Sequence, residues 1–347
     1  MAVVLVVTSA PPFVEGGHLV IARALEQALR AAGHDASTVT TPSNRFGRQA
    51  SAYLANWMTD VGQTGNGKRV DQVISLRFPS YAVRHPKHVC WLNHTMREYY
   101  DLWDEFSSRL SPQGRLKETV RRTLIRAADS YLLARNVTRL FALSSTVQAR
   151  LRRWNRVDAE VLHPPAPPRP YRCDGYGDYL FVVSRLAPLK RIDLLLRALA
   201  LPAAGGVKAV IAGEGEDRAR LEGLARDLGV AARVTFAGRI DDQALVDHLA
   251  RCRAVVFTPK GEDYGFVTVE AFASGKPVVT AVDSGGPRDL VRDAENGFVV
   301  EPDPEALARA CARLMADPAE AERLGTRGRA DTATLTWAGT VDRLILR

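Results

Sequence analysis

An α/β fold built as two doubly wound domains in tandem is predicted by three features of the sequence. Short apolar runs of strand length alternate with periodic helical stretches along most of the chain. One dense proline and glycine cluster, HPPAPPRPYRCDGYGD from His163 to Asp178, breaks that alternation, which then restarts. The length of 347 residues is too great for one ordinary core and suits two.

The first domain opens on VVLVV, Val3 to Val7, a near-continuous apolar run of the kind that parallel strands need because both their faces are covered. A loop with Gly16-Gly17 follows, then HLVIARALEQALRAAG, a periodic helix stopped by Gly33. Further strands are expected near Ala36 to Thr40, Gln72 to Ser75, His88 to Leu92 and Leu140 to Leu143. Beyond the linker the strands YLFVVS, KAVIAG, RVTFAG and AVVFTP alternate with the helices DLLLRALA, EDRARLEGLARDLG and DQALVDHLARC. The expected domains are 1–168 and 169–325, with a helical tail, 326–347, packing back on the first.

Composition narrows the function. Apolar residues make up 46% and charged ones 25%, as in an ordinary soluble globular protein. The four cysteines, Cys90, Cys173, Cys252 and Cys311, lie far apart with no C-x-x-C pair, so neither a zinc site nor a disulfide framework is indicated and a reducing cytoplasm fits. The N-terminal apolar run lacks a basic region before it and reads as a buried strand rather than a signal peptide. No run approaches the roughly 18 apolar residues of a spanning helix. Of the net charge of +8, much sits between Arg109 and Arg156. In RLKETVRRTLIRAADSYLLAR the arginines recur at helical spacing opposite leucines and alanines, which reads first as a solvated face. Peripheral contact with acidic lipid is the second reading, and nucleic acid the last, because no aromatic stacking pattern accompanies the charges.

Several short stretches carry chemistry. In EDYGFVTVE, Glu262 and Glu270 flank seven residues at the start of an apolar helix. Glu270, inside the helix, needs a partner: a vicinal diol such as a ribose or a nearby arginine would each serve. Glu262 and Asp263 sit ahead of the helix, whose amides and dipole favour an anion or sugar oxygens, and Gly265 admits close approach. In SRLAPLKR, Arg185 and Lys190 follow a strand and could clamp a diphosphate or simply begin a helix. AGEGED, with Gly213, is a common strand-to-helix turn, and the double glycine of DSGGPRDLV admits a phosphate or merely turns the chain. Gly16-Gly17 has the same two readings, and neither a G-x-G-x-x-G fingerprint nor a P-loop is present. His94, in CWLNHTMREYYD, would bind a hydroxyl, move a proton, or pair structurally with Asp101 or Asp104.

Taken in order, SRLAPLKR, AGEGED, FAGRIDD, EDYGFVTVEAFASGKPVV and SGGPRDLV resemble the C-terminal domain of retaining glycosyltransferases of family four, which have the GT-B fold of two Rossmann-like domains facing a central cleft. The resemblance runs from about Tyr179 to Val300; the N-terminal half matches in outline, through Gly16-Gly17, WLNH and LSSTVQARL. It implies an enzyme that moves a hexosyl unit from a nucleotide-diphosphate sugar, UDP- or GDP-linked, to an acceptor hydroxyl with retention. No metal or cofactor beyond that co-substrate is implied. By the same resemblance Glu262 contacts the donor sugar, Glu270 the ribose, and Arg185 with Lys190 the diphosphate, with His94 in the catalytic set. Gly16, Gly17, Gly213, Arg239, Asp263, Tyr264, Gly265, Phe266 and Val267 complete the expected donor site. The acceptor is a glycan, a lipid-linked sugar or a small molecule; Pro42 to Gly67, unlike anything in the pattern, lies where acceptors bind. No nucleic acid or obligate protein partner is expected. A nucleotide-sugar epimerase, a glycosidic phosphorylase and a catalytically silent sugar-nucleotide binding protein are the alternatives.

Overall fold

Two parallel sheets organise the chain, which a computed structural model describes over residues 1–11, 16–43 and 47–346. Contacts divide it into Met1–Pro164 with Leu335–Arg347, and Pro165–Thr334.

In the first unit the strands are β1 (Val3–Ala10), β2 (Asp35–Pro42), β3 (Gln72–Ser75), β4 (His88–Leu92), β5 (Arg139–Ala142) and β6 (Glu160–Val161). They run parallel in the order β2-β1-β3-β4-β5-β6. Val4, Val6 and Val7 of β1 are fully buried, as a central strand covered on both faces requires. The helices are α1 (Gly17–Ala31), α2 (Gln49–Met58), α3 (Trp103–Ser108), α4 (Pro112–Arg135) and α5 (Ser145–Arg150). Gly33, at φ +83°, stops the turn after α1.

The second unit contains β7 (Tyr179–Val183), α6 (Ile192–Leu199), β8 (Lys208–Ala212), α7 (Arg218–Asp227), β9 (Val234–Gly238), α8 (Asp242–Arg251), β10 (Ala254–Val256) and α9 (Phe266–Ala273). It continues with β11 (Val278–Ala281), β12 (Gly297–Val300), α10 (Pro304–Ala316) and α11 (Pro318–Thr332). Its order, β12-β11-β10-β7-β8-β9, reverses direction between β7 and β10. In such a sheet the crevice outside the strands' C-terminal ends at the reversal is the natural ligand site. The first sheet reverses between β1 and β3.

The structure differs from the sequence expectation in three places. The breaks fall at 164/165 and 334/335 rather than at 168/169 and 325/326. Helix α11 stays with the second unit because Gly325 lies against the Gly275 carbonyl and Gly328 against the Phe272 ring, approaches with no room for a Cβ. The segment returning to the first unit is α12 (Trp337–Leu344), held by Gln72, whose Nε2 donates to the Leu344 carbonyl at 2.7 Å and whose Oε1 accepts from the Leu346 amide at 2.8 Å.

The second difference is the strand AVVFTP, of which only Ala254–Val256 is ladder-paired. The third is α4, read as a solvated basic face opposite leucines and alanines. Its buried positions are Glu118, Ile125, Asp129, Leu132 and Leu133, while Leu116 and Leu124 point to solvent. Tyrosines reverse the helix: Tyr99 Oη donates to Glu118 Oε2 at 2.6 Å, and Tyr53, Tyr81 and Tyr100 all donate to Asp129.

Burial pushes the Asp129 carboxyl up to about 6, with the three tyrosine bonds pulling the other way. A raised acid favours the protonated fold, so its stability contribution is full below the ordinary value of 3.8 and is lost as pH rises through about 6. The stability difference between the wild type and Asp129→Asn is therefore expected to shrink by about 2 kcal/mol from pH 4 to pH 7. Paired urea titrations across that range test it, and a difference independent of pH would refute it.

Candidate functional site

At the reversal point of the second unit the loops after β7 and β10 carry opposite charges. Arg185 and Lys190 come from the first loop, Glu262 from the second. Lys190 Nζ donates to Glu262 Oε2, and lies 5.5 Å from the centre of the Phe257 ring. Arg185 is exposed, and its guanidinium has no hydrogen bond or ion pair among the described residues. Glu262 is also held by its backbone: its amide donates to the Ser284 carbonyl at 2.8 Å and its carbonyl accepts from the Gly286 amide at 2.9 Å. A Cβ at Gly285 would stand 2.4 Å from the Glu262 carbonyl oxygen, and one at Gly286 2.5 Å from that of Asp263. The double glycine thus serves close packing of this loop on Glu262 and Asp263.

Gly265, at φ +81°, begins α9, and its missing side chain makes room for Phe257. Phe266 and Val267 open the helix, so their amides have no acceptor within it. The Tyr264 ring is buried, 5.3 Å from that of Phe266, so its side chain is core and only its backbone faces the loop.

Glu270, 5% exposed, has the arginine the sequence left as one of two partners. Arg169 Nη1 donates to its Oε1 at 2.5 Å and Tyr171 Oη to the same oxygen at 3.1 Å, whereas Oε2 has no partner among the described residues. Burial raises the Glu270 carboxyl and the Arg169 charge opposes that shift. Gly213 is packed tightly: at φ +127° it would bring a Cβ to 1.9 Å from the Ser184 carbonyl oxygen. Arg239 is exposed just after β9.

In the first unit Gly16 is extended and caps α1, its carbonyl accepting from the Leu19 amide at 2.9 Å, and Gly17 begins the helix. His94 follows β4, and its Nδ1 is 2.7 Å from the Thr95 carbonyl. Asp101, one of the two acids read as a structural partner for His94, is engaged by Arg97 and Arg150 at 2.6 and 3.0 Å. His18 Nε2 is buried without a partner among the described residues. Burial, then the charges of Arg77 and His94, lower His18 to about 3, so it is neutral at pH 7. Asn44, Arg45 and Phe46 of the expected acceptor segment lie outside the described residues.

Four residues that sequence reasoning missed complete these loops: His18, Arg169, Tyr171 and Arg191. Arg191, at φ +51°, donates to the Thr258 and Pro259 carbonyls at 2.7 and 2.8 Å and to both oxygens of Asp283 at 2.9 and 2.6 Å. It ties together the loops after β7, β10 and β11. Lysine has no planar fork to replace it. Arg191→Lys is expected to lower the unfolding free energy by about 2 kcal/mol, read as a lower urea midpoint at unchanged slope; an unmoved midpoint would refute that role.

Among known families, Glycosyl transferases group 1 matches residues 172–331. The D-inositol 3-phosphate glycosyltransferase of Thermomonospora curvata is 38% identical over 178 residues, covering 48% of this chain and 41% of that protein. The lipopolysaccharide core biosynthesis glycosyltransferase LpsE of Rhizobium meliloti is 40% identical over 148 residues, covering 42% of each. The chain thus spans about two fifths of the length of these curated relatives. Over nearly the whole chain it is similar in structure to sucrose-phosphate synthase of Thermosynechococcus elongatus, with TM-score 0.74, 21% identity and coverage of 98% and 97%. Anabaena HepE, solved in complex with UDP-glucose, gives TM-score 0.70 at 17% identity, covering 98% of both chains. The fold of these neighbours, and of this chain, is GT-B.

Proposed function

We propose, since residues 172–331 match the glycosyl transferases group 1 family, that the chain is a retaining glycosyltransferase acting on a nucleotide-diphosphate sugar. The observation that carries the reading is the joining of Lys190 to Glu262 at the reversal point of the second sheet, with Arg185 exposed beside β7 and open to an anion. Arg185 and Lys190 would take the diphosphate, arginine by two parallel bonds and lysine as a point charge. Glu262 and the first amides of α9, with Asp263, Tyr264, Gly265, Phe266 and Val267 supplying backbone, would hold the sugar. Glu270 would accept a ribose hydroxyl on Oε2 while Arg169 keeps the buried charge compensated. Arg239 would border the base, and Gly213 shapes the turn behind it.

In the reaction the bond from the anomeric carbon to the diphosphate breaks and the acceptor oxygen bonds to that carbon on the same face. The acceptor proton passes to the departing diphosphate oxygen. Arg185 and Lys190 stabilise the charge that develops there. Within the first unit, His94 and the start of α1 at Gly16 and Gly17 would offer hydrogen-bonding groups suited to sugar and phosphate oxygens. The donor is a UDP- or GDP-sugar, the acceptor a glycan, lipid-linked sugar or small molecule, and no metal takes part.

The test is a thermal-shift and turnover assay of the whole chain with UDP- and GDP-sugars, with and without EDTA. Stabilisation by one nucleotide series, release of its diphosphate indifferent to EDTA, and an anomeric configuration kept in the product are the expected results. Binding without turnover over a broad acceptor panel would favour the silent binder, loss with EDTA would remove metal independence, and an inverted product would remove retention.

A further inference from the structure

We propose that α4 is a docking surface for an anionic lipid bilayer, on which it lies with its outward stripe among the headgroups and upper acyl chains. At 100° per residue, Leu116, Val120, Leu124, Ala127, Tyr131 and Ala134 share one face, and all six are exposed. The stripe runs about 27 Å at 1.5 Å per residue. It is no core face left uncovered by chance, because the inward face is already packed through Ile125, Leu132 and Leu133 and also carries Glu118 and Asp129. Burying carboxylates while leaving leucines in water reverses the ordinary preference and is sustained here by tyrosine hydroxyls on both acids and by Arg121 on Glu118. Alongside it, joined through Tyr53 and Asp129, α2 exposes Leu54, Trp57 and Met58.

Charge decides the occupant. Helix α4 carries Arg115, Lys117, Arg121, Arg122, Arg126 and Arg135, whereas its only acids are the two buried ones. Arg115, Lys117 and Arg135 are exposed without an ion pair among the described residues. A second copy docked on this stripe would set one acid-free basic rim against another. A nucleic acid would take the cations and leave the leucines wet. An anionic bilayer takes both, the apolar stripe by burial and the flanking cations by attraction to the headgroups. None of the described helices is long and apolar enough to cross a membrane, so the helix lies on the surface.

Flotation of the whole chain with vesicles of phosphatidylcholine, alone or with about 30% phosphatidylglycerol, tests this without any substrate, so it stands or falls apart from the proposed reaction. Binding is expected to the anionic vesicles and to weaken as salt rises to about 0.5 M. The combined variant Leu116→Ser, Val120→Ser, Leu124→Ser is expected to lower the partition coefficient at least about tenfold, with the melting temperature unchanged because all three side chains are exposed. Lys117→Glu with Arg135→Glu is expected to remove the preference for phosphatidylglycerol. Absence of binding, or equal flotation of wild type and the serine variant, would overturn the proposal. So would a wild-type dimer that the serine variant converts to monomer, which would assign the stripe to a second copy.

Discussion

Glu262→Gln is expected to reduce sugar transfer by about 10³-fold or more with both units still folded. The amide keeps the size of the carboxylate and its packing but loses the charge that Lys190 meets. The side chain is partly exposed in a loop whose backbone is fixed by Ser284 and Gly286, so the substitution leaves no buried vacancy and little change in melting temperature is expected. The measurement is kcat alongside the dissociation constant of the donor. A fall in kcat with the donor still bound places Glu262 in the reaction itself. Activity within about tenfold of wild type would remove Glu262 from the catalytic set, and a loss matched by unfolding would leave it a structural residue.

The second large effect is on stability. Gly213→Ala is expected to destabilise the second unit by about 4 kcal/mol. The φ of +127° is one that residues with a Cβ rarely adopt, and the new carbon would stand 1.9 Å from a backbone oxygen that cannot swing aside. Because the Gly213 amide also donates to the Gly238 carbonyl at 2.7 Å, relief by moving the turn would break the contact between β8 and β9 that it closes. A urea titration followed by far-ultraviolet circular dichroism reads the loss, since all five tryptophans lie in the first unit. A wild-type midpoint combined with weakened donor binding would instead make Gly213 a ligand contact rather than a packing residue.

The two expectations differ in how far the sequence carried them. The strands of the second unit and the helix behind Glu270 were legible because apolar runs, turn glycines and helix stops are local signals. The pairing of Glu262 with Lys190 was partly legible: both residues stand in motifs that resemble a known family, but their contact spans 72 positions. The partner of Glu270 was left open between a diol and an arginine, and the arginine came from the linker, 101 residues away, where a proline-rich composition hides it. Arg191 sat one residue beyond the lysine that was noticed, and nothing in its neighbours announces the three loops it joins. Helix α4 was read as a solvated basic face opposite leucines and alanines, and periodicity locates such a stripe without saying which way it faces. The hydroxyls that turn it outward reside on α2, on the segment after β3, and at Tyr99 and Tyr100.

By itself, then, the sequence determined the α/β class, the two-sheet plan, the positions of most strands and the loops where charged chemistry gathers, since each depends on residues a few positions apart. Only the tertiary structure decided which charges meet, which way α4 faces and where α11 belongs. Those outcomes depend on distances between segments far apart in the chain, where a buried acid's partner and a glycine's missing side chain take their meaning from a backbone that no local pattern encodes.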